Sequence, residues 1–386
     1  MKTRSGKTKG GLTPKAREQT LEFCRLASGW YLGNQNTEQH HWGVGNSADL
    51  GRFLYQYNPV TGDCRGNGVW GQGLAIMGLL PLARRLDWAG EPQRNAAISA
   101  AKYLMSLQIM DRRDERLFGA LREGTPQTPW IHVRDGATGA MAFCALYRET
   151  EEEEYLYRAR VFADWYLRNA LGKDGWPCYT YYFETHESKS QQPAIWQAGA
   201  ALMFYYLNRL TGDKKYVQEG LRPLMEGYKR LYRQAKDQEP SGNDDFTAVS
   251  AMGATLLYKD PALGAIVRQR AQELLECQDA DGSCAGLEGE YVAGITWQNY
   301  CEYAQKRKLP ESLAPYREAI RRAAAFIQTR QERCARDLRA YGGVYGQTSY
   351  GASRSLIHHR ATGYALIFML RQEGGVEVPG YNIFGW

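Results

Sequence analysis

Apolar and polar residues recur along this chain in two distinct helical patterns. Segments 15–34, 92–108, 151–171, 213–236, 260–277 and 310–331 are charged and amphipathic, which predicts helices with one face in water. Between them lie segments rich in Gly and Ala and poor in charge: 68–80, 136–147, 194–207, 248–258, 291–303 and 361–370. A helix apolar all round belongs inside, and small residues let such helices approach closely. Pro261 and Pro310 fall near helix starts, where a missing N–H costs little. Alternating β-branched runs are few, so β structure is expected to be minor.

One phrase punctuates the alternation. A charged helix ends in an aromatic or Leu, then Gln or Asn, followed by a turn and a Gly-rich loop. The copies are Trp30…Gln35…Trp42-Gly43, Tyr103…Gln108…Gly119, Trp165…Asn169…Asp174-Gly175, Leu231…Gln234, Leu274…Gln278…Asp281-Gly282 and Phe326…Gln331…Gly342-Gly343. Asp-Gly and Gly-Gly supply the turn conformations that stop a helix. Six outer and six inner helices in alternation predict an all-α fold, an (α/α)6 toroid. Ser47–Tyr57 has room for a short extra helix, so seven hairpins stay open, and an open solenoid of helical pairs is the structural alternative. No Pro/Gly/Ser linker divides the chain. It reads as one domain over 15–386 behind a flexible basic tail, 1–14.

If the ring closes, the segments leading into the inner helices share one face, which collects helix N-termini and favours anions. All six histidines fall in these segments, with many aromatics. His41, Trp42, Asn67, Trp70, Gln72, Trp130, Tyr182, Trp196, Tyr345 and Arg354 are candidate substrate-binding residues. Within Trp130-Ile131-His132-Val133-Arg134-Asp135-Gly136, His132 is a candidate acid–base group and Arg134 a carboxylate clamp, since guanidinium binds carboxylates bidentately. Asp135 either caps the helix, pairs with Arg134, or acts as a catalytic carboxylate. His358-His359-Arg360 offers the same chemistry, with His359 as a second acid–base candidate and Arg360 as a second clamp. Neighbours i and i+1 point apart on a helix, so only one of the two histidines is expected to face the pocket. Asn243-Asp244-Asp245 reads as an N-cap or as a source of paired carboxylates; Glu288 and Glu290, before the candidate base Tyr291, carry the same ambiguity.

Composition narrows the partners. No stretch of about 18 uncharged apolar residues predicts a membrane span. The basic N-terminus lacks an apolar leader segment, and the eight dispersed cysteines form no C-x-x-C pair. Reduced thiols and a cytoplasmic location are expected, or a periplasmic or secreted one if a leader has been removed. No Cys/His cluster has metal spacing, so neither metal nor cofactor is expected. The net charge of +6 suits an anionic substrate if concentrated in one cleft. No Lys/Arg run with interleaved aromatics points to nucleic acid. The 26 Tyr and 10 Trp offer flat faces with polar edges, as sugar rings require and as core packing also uses.

On these features the chain resembles the α/α-toroid carbohydrate-active enzymes, the six-hairpin glycosidases and toroid polysaccharide lyases. Gly68-Val69-Trp70-Gly71-Gln72-Gly73 is similar to the aromatic-Gly-Gln phrase that opens an inner helix in unsaturated-uronyl hydrolases, without the Arg usual before it. The resemblance implies Tyr and His as base and acid in a lyase, with Asn, His, Arg or Glu near a uronate carboxylate. Three readings follow. The first is β-elimination on an anionic, uronate-containing polysaccharide. The second is glycoside hydrolysis by paired carboxylates. The third is a non-catalytic sugar-binding toroid, which leaves the clustered ionisable groups without purpose.

Overall fold

The structure is a computed structural model and describes residues 12–38, 49–189, 195–234, 245–284, 289–346, 356–373, 376–378 and 381–384. The outer helices are α1 (Pro14–Gly33), α3 (Glu91–Leu107), α5 (Glu153–Trp165), α7 (Arg222–Gln234), α9 (Pro261–Glu276) and α11 (Ala314–Thr329). The inner helices are α2 (Val69–Leu86), α4 (Val133–Thr150), α6 (Ala201–Thr211), α8 (Asp245–Leu257), α10 (Gly289–Arg307) and α12 (His359–Gln372). A π-helical turn, Tyr166–Ala170, extends α5; another, Tyr216–Leu221, leads into α7, and a 3₁₀ segment, Ile195–Ala200, leads into α6. Each inner helix packs on the next, and α12 packs on both α1 and α2, so the ring closes as an (α/α)6 toroid. Every residue of α2 from Val69 to Ala83 is buried, as its uniform apolarity requires.

The repeated phrase is what fastens the outer wall. Gln35 Nε2 donates to Gly51 O in its own loop and to Ala96 O of α3. Gln108 donates to Gly119 O and to Arg158 O of α5. Gln278 donates to Gly282 O and to Ala319 O of α11, and Gln331 to Gly342 O and Phe23 O of α1. In these four copies one amide clips the loop to the following outer helix, and the last copy clips the end of the ring to its beginning. The loop glycines carry positive φ and lie flat on that helix. A Cβ at Gly342 (φ +84°) would stand 2.1 Å from Leu26 O. The helix-ending tryptophans serve the same loops: Trp30 Nε1 donates to Arg339 O and Trp165 Nε1 to Arg116 O.

The structure corrects the pattern in four places. In the first copy the glycine that accepts from Gln35 and lies on the next helix is Gly51, while Gly43 lies outside the described residues. Asn169 bonds Trp165 O in its own helix, as Asn34 bonds Trp30 O. The bridge position held elsewhere by Gln35, Gln108, Gln278 and Gln331 is Leu171 in this copy, which has no amide to clip the next helix. Pro315, not Pro310, opens α11. Within Ser47–Tyr57, the residues Leu54–Tyr57 form a strand rather than helix. That strand, β1, lies between β2 (Cys64–Gly66) and β6 (Ile357–His358), tying the first loop to the start of α12. A second antiparallel sheet joins β3 (Trp130–His132), β4 (Thr180–Tyr182) and β5 (Ser188–Lys189). Among the described residues no helix is long and apolar enough to cross a membrane.

Candidate active site

Both small sheets stand on the face where the inner helices begin. Between them opens a cleft of about 430 Å³. Its walls come from the first turns of α2, α4 and α12 and from the 3₁₀ segment before α6. Eight of the candidates named from sequence line it: Asn67, Trp70, Trp130, His132, Arg134, Asp135, Trp196 and Arg360.

His132 ends β3 and caps α4, which fixes its backbone. Its N–H donates to Glu123 Oε2 at 2.9 Å, and its Nδ1 lies 3.0 Å from Thr180 Oγ1. The ring stacks on Tyr179 with centroids 4.2 Å apart and meets Trp130 at 4.7 Å. Burial lowers the imidazole pKa below its ordinary value; Asp135 opposes this without reversing it. His132 is therefore a neutral imidazole at neutral pH. Glu123 is partly accessible from the cleft, but protein crowds its carboxyl group. Burial, then the charge and hydrogen bond of Asp135, raise its pKa well above the carboxylate range. Glu123 thus keeps its proton beside Asp135.

Among the described residues, three guanidinium groups line the same cleft. Arg134 is buried, with its guanidinium 4.8 Å from the Phe246 ring centre and 5.8 Å from that of Trp196; Nη1 lies 4.0 Å from Asp135. Arg360 lies 4.5 Å over the Trp70 ring. Arg52 donates through Nε to Asn67 O at 2.7 Å and pairs with Asp49. Asn67 Oδ1 in turn accepts from Gly68 N–H at the start of α2.

Other candidates lie elsewhere. His359 is fully buried, its ring edge-on to Tyr31 at 5.2 Å and to Trp70 at 5.9 Å, so Trp70 screens it from the cleft. His358 is buried as well; its Nδ1 accepts from Arg360 N–H and caps α12. The expectation that one of these two faces the pocket is thus not met. Gln72 is interior, accepting from Phe53 N–H and donating to Gly51 O, and so holds the loop that carries Arg52. Tyr291 is buried and stacked on Tyr364, and Glu290 is buried beside it at the start of α10. Tyr345 donates to Glu332 away from the cleft, and Tyr182 lies in β4 beneath Lys189. Asp245 opens α8, with its side chain outside the described residues. His41, Trp42 and Arg354 also lie outside them, as do Asp244 and Glu288.

Glu123, Arg52 and Tyr55 are cleft residues that the sequence pattern did not mark, whereas Tyr179 lies in the segment expected to face the site. Glu123 sits between the second phrase and α4, on the correct face. The preceding run Asp111-Arg112-Arg113-Asp114-Glu115 makes the whole loop look solvated. Its position in that inter-helix segment was the available signal.

No family model and no curated protein sequence matches the chain. Solved structures match the fold. A GH76 α-mannanase of Bacteroides thetaiotaomicron superposes with TM-score 0.64 at 11% identity, over 92% of this chain and 95% of that one. Cellobiose 2-epimerase from Bacillus thermoamylovorans gives 0.65 at 13% identity, over 92% and 98%. A possible GH105-family member from Salmonella enterica gives 0.58 at 12% identity, over 95% and 96%. These likenesses show the α/α toroid.

Proposed function

We propose that the protein is a carbohydrate-active enzyme that removes a proton next to a sugar carboxylate, and that its reaction is β-elimination on uronate-containing oligosaccharides. The carrying observation is a neutral His132 in a cleft with three guanidinium groups. The sign of charge favours one chemistry over the other. Hydrolysis develops positive charge at the anomeric carbon. At roughly 7 Å and an effective dielectric of about 20, one guanidinium opposes that by about 2 kcal/mol. Proton abstraction develops negative charge instead, which the same groups stabilise. The close pair Glu123–Asp135 also argues against hydrolysis, whose two carboxyls stand roughly 5 Å or more apart. Tyr291, the tyrosine base expected by resemblance, is buried off the cleft, which moves the base role to His132.

In this reading Arg134 and Arg360 hold the carboxylate. His132 Nε2 takes the C5 proton, the freed pair forms the C4–C5 double bond, and the C4–O bond breaks. The proton held by Glu123 goes to the departing oxygen. Trp70, Trp130 and Trp196 supply faces for sugar rings. A second reading, epimerisation next to a sugar carbonyl, shares the proton abstraction. It draws support from the cellobiose 2-epimerase among the structural neighbours.

The test is incubation with uronate oligosaccharides and with cellobiose in deuterium oxide. Elimination yields an ultraviolet-absorbing unsaturated product from the uronate; epimerisation yields deuterium at carbon in a recovered epimer. New reducing ends with neither signature would replace both readings with hydrolysis.

A further inference from the structure

We infer that Thr180 is a positioning residue that sets the tautomer of His132, holding the proton on Nδ1 so that a bare Nε2 faces the cleft. This deepens the acid–base reading above and rests on it. The contact is built by the sheet rather than by a mobile loop. In the β3–β4 ladder His132 is the register partner of Thr180, so the two side chains leave the same face at adjacent positions. Thr180 is 5% exposed, and its Oγ1 stands 3.0 Å from Nδ1. Tyr179 stacks on one face of the ring and Trp130 meets it at 54°, and both oppose a turn that would exchange its nitrogens. Glu123 holds the backbone N–H of the same residue.

A hydroxyl is the partner that suits a neutral base. A carboxylate at position 180 would orient the ring equally well, but it would also draw the imidazole toward its charged form. Threonine orients without adding charge. The 3.0 Å contact fits donation in either direction. A hydroxyl donating to Nδ1 would leave the proton on Nε2 and no base toward the cleft. With Nδ1–H donating to Oγ1, Nε2 keeps its lone pair and accepts the substrate proton, and the resulting imidazolium still donates through Nδ1 to the same oxygen. Nothing leaves or enters the pair except that one proton.

The experiment is ¹⁵N NMR of the histidine rings in the intact protein, above the pH at which they protonate, without substrate. His132 is identified by the signal lost in His132→Gln. The wild type should show His132 protonated on Nδ1. Thr180→Val, which keeps shape and removes the hydroxyl, should shift it toward the Nε2–H form and lower turnover about 10- to 100-fold at nearly unchanged KM. Thr180→Ser should restore both. An Nε2–H signal in the wild type, or an unchanged Nδ1–H signal in Thr180→Val, overturns the inference. Because the spectrum needs no substrate, it can fail while the proposed reaction stands. Conversely, a wild type that abstracts no substrate proton sinks that reaction and leaves the tautomer result intact.

Discussion

Glu123 shows how much of this cleft depends on a single proton. Its carboxyl stays protonated above the usual carboxylate range because burial and Asp135 both penalise a second negative charge. A group so held can donate at neutral pH, where an exposed glutamate is already ionised. Glu123→Gln keeps the shape and removes the donated proton. Turnover should fall about 10²- to 10⁴-fold, with a smaller change in KM. Steady-state kinetics on the substrate identified by the deuterium experiment read this directly. His358 lends itself to a stability test. Burial, then Arg360, lower its pKa to about 3 from an ordinary value of 6.5. Between those values the unfolded chain binds the proton that the folded chain refuses. Stability therefore rises with pH across the window and is lost as pH falls through it. His358→Asn retains an acceptor for the α12 N-terminus and removes the titration. Its melting temperature should be lower at pH 7, by the equivalent of about 1–2 kcal/mol, but should decline less steeply toward acid than that of the wild type.

At the scale of elements, the ring is held by a recurrent side-chain clip and by the apolar surface of its inner helices. Gln331 alone satisfies carbonyls of its own loop and of α1, joining residues more than 300 positions apart. Gln331→Ala leaves two buried carbonyls without that donor, at a cost of about 1–3 kcal/mol. Gly342→Ala meets a backbone oxygen and a positive φ together, so it should cost more than the roughly 1 kcal/mol of an ordinary Gly–Ala difference. Urea unfolding of both variants measures this. Equal stability of Gly342→Ala and the wild type would mean that the loop does not lie against α1. The phrase was legible in the sequence because one geometric task repeats around the ring. Its acceptors were not, since Phe23 and Ala96 are marked by nothing except their height on the next helix.

Across the whole molecule, the C-terminal segment closes the ring axis. Asn299 of α10 and Arg371 of α12 donate to Tyr381 O, and Tyr205 of α6 donates to Ile383 O. The Tyr381 ring packs on Phe246 at 5.0 Å and on Tyr364 at 6.0 Å, and Phe246 lies under Arg134. Tyr381→Ala should cost about 3–5 kcal/mol as a buried aromatic truncation. It should also weaken activity through the loosened Arg134. Thermal unfolding and kinetics together check both halves; full activity in a destabilised variant would uncouple the plug from the cleft.

The residue pattern alone was enough for the alternation of outer and inner helices, the face that carries the polar residues, and half of the cleft around His132–Asp135. These follow from local periodicity and from spacing along one helix, which a linear chain records. The count of six hairpins rather than seven came with the strand at Leu54–Tyr57. Tertiary structure alone decided that His359 and Gln72 turn inward, that Tyr291 lies off the cleft, and that Glu123 meets Asp135. Each of those outcomes depends on which side chains from other hairpins fill the same volume. Burial then sets both which groups can reach a ligand and which of them keep their protons.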